Sequence, residues 1–141
     1  MADTIQNSFK KHIMNGGIDL DTNTIKVMLL TSSHSQDQDA HEFIDDVSAN
    51  EVSGAGYTAG GATIGSPAVT QDNTDNEGVF DGADVTWSAS TITASYAAIY
   101  KDTGTPATSP IIAILDFSTD KSSSAGNFVI QWNAEGIVNL T

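Results

Sequence analysis

The side chains able to do chemistry in this chain are mostly carboxylates: 18 Asp and Glu, joined by three histidines and no cysteine. Asp19, Asp21 and Asn23 begin like the D-x-D-x-N of a calcium loop. The pattern then fails, because Thr24 stands where the sharp turn needs glycine and Leu30 where a bidentate Glu should close the shell. A structural turn is the reading that remains. His34, His41 and Glu42, with Asp37 and Asp39 between them, form the densest ligand-capable cluster. Zinc sites usually draw two ligands from one helix face, and His34 falls outside the helix expected here. A solvated loop leading into a capped helix accounts for the same residues. Asp72, Asp75, Asn76 and Glu77 offer oxygen ligands, and Asp84 with Asp102 offers paired carboxylates of the glycosidase kind. Chance proximity is expected in a chain this acidic.

Nucleophilic chemistry has even less to work with. No Ser sits in a G-x-S-x-G elbow, no His is placed as a partner base, and thiol catalysis is excluded with cysteine. Gly54-Ala55-Gly56 and Gly60-Gly61 lack the terminal Lys-Ser/Thr of a phosphate loop, so strand bending is their expected role. Tyr57, Trp87, Tyr96, Tyr100 and Trp132 could stack on a sugar, but such residues more often fill a sandwich core. The residues therefore assign no catalytic, cofactor-binding or metal-binding position.

Composition narrows the partners. Five Lys/Arg against 18 acids leave a formal charge of −13, which repels a phosphate backbone and argues against nucleic acid. The N-terminal stretch has no cationic segment followed by an apolar run, and no stretch approaches the roughly 20 apolar residues of a membrane span. At 141 residues the chain suits one domain over 1–141, and its 39% hydrophobic content implies a thin core.

The elements that must position these residues read mostly as strands. Ile5, Phe9 and Ile13 recur at intervals of four and predict an amphipathic helix from about 4 to 14, with Asp3 or Thr4 as N-cap and Asn15-Gly16-Gly17 as its stop. Ile25 to Thr31 reads as a buried strand. Ala40, Phe43, Ile44 and Val47 suggest a second short helix near 40 to 48, with Asp39 and Glu42 spaced as a capping box. Glu51 to Thr70 predicts a bent or bulged strand pair, and Asp72 to Gly78 a polar turn before the short strand Val79-Phe80. Val85 to Phe117 is the organising stretch. There, Thr91–Tyr100 and Ile111–Leu115 should pair as a hairpin across the loop Lys101–Pro110, which is long beside the usual ~2 to 5 residues. After a Ser-rich loop from Asp120 to Gly126, Phe128, Ile130 and Trp132 alternate on one face. Asn133 to Gly136 then turns the chain into Ile137–Leu140, predicting a closing hairpin. Together these signals describe a mainly β, antiparallel sandwich or jelly-roll-like fold with one or two small helices.

As a set, Glu51–Gly61, Asp84–Trp87, Ala97–Gly104 and Gln131–Ile137 resemble segments of a family of small tailed-bacteriophage virion proteins of the capsid decoration, or cement, type. The resemblance runs from the N-terminal helix to the last hairpin. It implies a non-enzymatic structural protein that attaches to the outer surface of an icosahedral capsid after synthesis in the host cytoplasm. Its partners would be the major capsid protein and itself, as a dimer or trimer. The resemblance carries over no catalytic residue and no cofactor. Two other readings stay open, a tail- or fibre-associated virion protein and a carbohydrate-binding β module. Exposed strand edges, the long loop Lys101–Pro110 and the segment Ser32–Asp39 are the expected contact surfaces, because open edges offer unpaired backbone groups and loops on a rigid β scaffold carry function.

Overall fold

A computed structural model describes residues 3–141. Its centre is a five-stranded antiparallel sheet with the order β1-β8-β7-β2-β3, built from Thr4–Ile5 (β1), Ile25–Leu30 (β2), Ala62–Thr63 (β3), Thr93–Lys101 (β7) and Ile111–Ser122 (β8). Two smaller sheets accompany it. Ala68–Asp72 (β4), Glu77–Asp81 (β5) and Val138–Leu140 (β10) make one, in the order β10-β5-β4. Val85–Ser90 (β6) and Gly126–Ile130 (β9) make the other. The expected mainly β, sandwich-like architecture is what forms.

Period-two alternation explains how the central sheet is covered on both sides. Ile25, Val27 and Leu29 of β2 face a core shared with Phe80, Val85, Trp87, Phe128, Ile130 and Val138 of the small sheets. Met28 and Leu30 face the other way, into a second cluster with Ala98, Tyr100, Ile111, Ile114, Ile44 and Val47. A sheet buried on both faces needs near-continuous apolar strands, which is why β2 is apolar except for Lys26 and β7 is apolar from Tyr96 to Tyr100. The hairpin of β7 and β8 forms as expected, with Ala97 opposite Leu115 and Ala98 opposite Ile114. Its register slips twice, and Phe117–Asp120 bulge opposite Ser95, with Ser118 left-handed at φ 64°.

Several local expectations change. The helix (α1) spans Asn7–Met14, because Thr4 and Ile5 pair with Ile114 and Ala113 before the chain coils. Its N-cap is Gln6, not Asp3 or Thr4, and no side chain caps it. The stop at Asn15-Gly16-Gly17 holds, Gly16 taking φ 75°. In place of a second α-helix lie two 3₁₀ turns, Ile44–Asp46 and Ser48–Asn50. Ile44 N–H is already spent on Ser109 C=O at 2.9 Å, and Asp46, rather than Asp39, caps the turn through Glu42 N–H and Phe43 N–H, both at 2.9 Å.

Within 51–70 the strands that form pair elsewhere, Ala62–Thr63 with β2 and Ala68–Thr70 with β5, while 51–61 crosses close to β2, where a Cβ on Gly61 would lie 1.8 Å from Val27 C=O. Much of the expected Ser-rich loop is strand, since β8 runs on to Ser122. The closing hairpin does not form. β9 pairs with β6 and β10 with β5, leaving Trp132 beyond the strand end.

Candidate functional site

The loop between β7 and β8 and the cleft beneath it form the most fully built surface feature. Lys101 N–H bonds Pro110 C=O at 3.0 Å and closes the loop at its base. Asp102 N–H donates to Thr24 C=O at 2.8 Å, and the Lys101 ammonium donates to Gly17 C=O at 2.8 Å. Inside the loop, Ser109 Oγ accepts from Thr103 N–H at 3.0 Å and donates to Thr105 C=O at 2.9 Å. Thr103 Oγ1 meets Thr108 Oγ1 at 2.7 Å, and Pro106–Thr108 form a 3₁₀ turn. Residues 103–108 are all exposed, while Ser109 and Pro110 are buried. Hydroxyl bonds and a proline thus fix a neutral, protruding tip.

The adjoining cleft, about 380 Å³, is lined by Lys26, Met28, Ile44, Glu51, Tyr100 and Asp102 together with loop residues. Strand geometry sets Lys26 and Met28 two residues apart on one face, and Tyr100 and Asp102 likewise at the end of β7. Lys26 and Asp102 form an ion pair at 2.9 Å. That bond, followed by the Gly104 N–H donated to the carboxylate, holds Asp102 below its ordinary carboxylate range. Glu51 accepts from Tyr57 O–H at 2.9 Å and from Gly60 N–H at 2.6 Å. Tyr57 Oη in turn accepts from the Leu29 N–H at 3.0 Å, and Tyr100 O–H donates to Gly60 C=O at 2.6 Å. Burial is the main cause that pushes both phenols well above the ordinary tyrosine value. Chemically, the cleft is a preorganised cradle whose polar groups tie the 51–61 and 101–110 loops to the sheet.

The groups singled out by spacing lie elsewhere or are already engaged. Asn23 Oδ1 accepts from Asp19 N–H at 2.8 Å, closing the turn before β2. The Asp21 carboxyl hydrogen-bonds Asp19, lowering Asp19 and raising itself. His34 is buried with its ring 5.0 Å from that of Tyr96 and 5.6 Å from that of His41. Burial lowers its pKa from 6.5. Its Nε2 lies 3.2 Å from Gln36 Oε1, Gln36 donates to Gln6 Oε1 at 2.6 Å, and Gln6 donates to His41 C=O at 2.8 Å.

Glu42 is held by Lys11 at 2.6 Å and His12 at 2.9 Å, while Asp37 accepts from Asp39 N–H and Ala40 N–H. These bonds, Lys11 first for Glu42 and Ala40 N–H first for Asp37, lower both carboxylates. The cluster therefore divides into separate clamps, and among the described residues no three His, Asp or Glu converge as a metal requires. Asp72 accepts from Thr74 N–H at 2.7 Å and folds the β4–β5 turn, while Glu77 accepts from Asn139 at 2.6 Å and ties β5 to β10. Asp84 holds Trp132 N–H at 3.0 Å, away from Asp102 and its lysine.

Among the aromatics, Trp87 is packed between Tyr57 and Phe128, with ring centroids 6.0 Å away in each case, and is a core residue. Tyr100 is likewise buried; Trp132 is only half-buried and donates from Nε1 to Ala83 C=O at 2.9 Å. No ligand or catalytic motif marks Glu51 or Lys26. The one available signal for Glu51 is its position at the head of a glycine-rich stretch whose free N–H groups need an acceptor.

Comparison of the chain with family models, with curated proteins and with solved structures finds no match.

Proposed function

We propose that this protein is a non-enzymatic structural component of a tailed-bacteriophage virion that binds the outer surface of the icosahedral capsid and bridges neighbouring capsid subunits. The observation that supports this reading best is the prebuilt 103–108 tip. A loop already held by its own hydroxyl bonds loses little conformational freedom when it docks, so modest contacts yield useful affinity. Neutral Thr, Gly, Pro and Ala side chains at the tip suit close approach to another protein better than a charged surface does. Symmetry repeats each contact over the shell, and binding to the closed arrangement alone stabilises it by linkage. The −13 charge keeps decorated particles from adhering to one another.

Thermal rupture of particles carrying the protein, compared with particles stripped of it, tests the reading. Decorated shells should rupture at higher temperature, and re-adding the purified chain should restore the difference. Equal rupture temperatures would remove the cementing role.

A further inference from the structure

The outer edge of β4 carries an inference of its own. β4 pairs with β5 on one side and forms the edge of its sheet on the other. Ala68, Val69, Thr70 and Gln71 are exposed, with Val69 at 49%. Soluble proteins blunt an open edge with lysine, internal proline, a bulge or brevity. Among the other edges, β1 and β3 have two residues each, β10 has three, and the β6–β9 ladder shifts register after Trp87. β8 is broken by its bulge. β4 has five residues in regular register with β5, with Pro67 before it and Asp72 at its end, and none of those devices between.

We propose that two copies of this chain pair antiparallel along β4 about a two-fold axis at Thr70, joining their small sheets into one six-stranded sheet. Charge selects this arrangement. With Thr70 opposite its own copy, Val69 faces Gln71 and Asp72 faces Ala68. The acidic turn from Asp72 to Asp75 then lies beside the uncharged segment Gly65–Ala68 of the other copy. A parallel pairing would stack Asp72 on Asp72, and a register shifted toward the turn would oppose them directly, and like charges opposite one another destabilise a sheet. The antiparallel form also closes, so it gives a dimer and no filament. On the core-facing side, Val69 sits in a row with Phe80 and Val138, and the two copies' Val69 side chains meet diagonally across the seam. Val69 also borders a trough of about 440 Å³ whose lining combines Ile13, Leu20, Phe80 and Leu140 with the carboxylates Asp19 and Asp21. A seam this short falls below the roughly 1,200 Å² of standard interfaces, so the dimer is weak and concentration-dependent. The inference does not depend on what the protein binds.

The test uses the full chain, which has no cysteine of its own. Residues opposite in such a seam have Cβ atoms about 4.5 to 5.5 Å apart, close to what a disulfide needs. Thr70→Cys should form a covalent dimer under mild oxidant at concentrations where the exposed control Thr119→Cys stays monomeric. In sedimentation equilibrium, Thr70→Asp and Thr70→Lys should each weaken the wild-type dimer by roughly fivefold, and an equimolar mixture should recover it as a heterodimer. Equal cross-linking of the two cysteine variants, wild type monomeric up to about 1 mM, or a mixture no tighter than either charged variant would each overturn the proposal.

Discussion

Replacing Tyr57 with phenylalanine removes a single oxygen that stands in for a missing strand. β3 covers only Lys26 and Val27 of the β2 edge. Farther along, the Leu29 C=O is taken by Val52 N–H at 3.0 Å and the Leu29 N–H by Tyr57 Oη at 3.0 Å. Leu29 is fully buried, so in Tyr57→Phe its N–H loses its acceptor with no route to water. An orphaned buried donor costs about 1 to 3 kcal/mol, and the lost bond to the Glu51 carboxylate adds to that, so the expected destabilisation is about 2 to 3 kcal/mol. With an unfolding entropy near 2.1 cal/mol/K per residue, a chain of 141 residues should lose about 7 to 10 °C in Tm. Urea unfolding should report the same loss through a lower midpoint at unchanged slope, because the surface exposed on unfolding hardly differs. A change below about 0.5 kcal/mol would show that the phenol does not complete this edge.

Two further outcomes follow from the same geometry. Gly61→Ala should unfold the chain or cost more than about 3 kcal/mol, since φ is 81° and the new Cβ would strike Val27 C=O, whereas Gly104→Ala, at φ 84° with open space around it, should cost only about 1 kcal/mol; paired urea melts compare them. His34 is held neutral by burial, so the unfolded chain binds the extra proton below pH 6.5, and stability should decline as pH falls from there toward the lower folded pKa, then level off with respect to this residue. NMR titration should place the His34 pKa below 6.5, and His34→Gln should flatten that part of the pH–stability curve.

What could be read from the residues depended on how local its cause is. The β2 strand, the β7–β8 hairpin, the polar turn at 72–78 and the glycine stop of α1 all follow from adjacent side chains, and they form. α1 starts at Asn7 and not near residue 4 because Thr4 and Ile5 answer to Ile114 and Ala113, which no local pattern announces. The expected helix near 40 to 48 has a sound apolar period, yet its backbone is diverted by Ser109, far along the chain. At the C-terminus the turn signal at 133–136 was correct: Gly136 N–H bonds Asn133 C=O at 3.0 Å. The strands on either side of it nevertheless chose β6 and β5, since alternation shows that a strand exists and not which edge receives it. The candidate site shows the same division. Lys101–Pro110 was recognisable by its length, while the Lys26–Asp102 pair and the Glu51 hub arise from contacts between distant segments.

The most direct measurement replaces residues 103–108 with a short glycine-containing turn and asks whether the chain still binds. Cosedimentation with capsids lacking the protein, with occupancy read by cryo-electron microscopy, compares the wild type with the shortened chain after both are shown to fold by circular dichroism. Saturable, symmetric occupancy is expected for the wild type and at least about a tenfold loss of affinity for the shortened chain, equivalent to about 1.4 kcal/mol. Equal binding by both chains, or no binding by the wild type, would contradict this expectation.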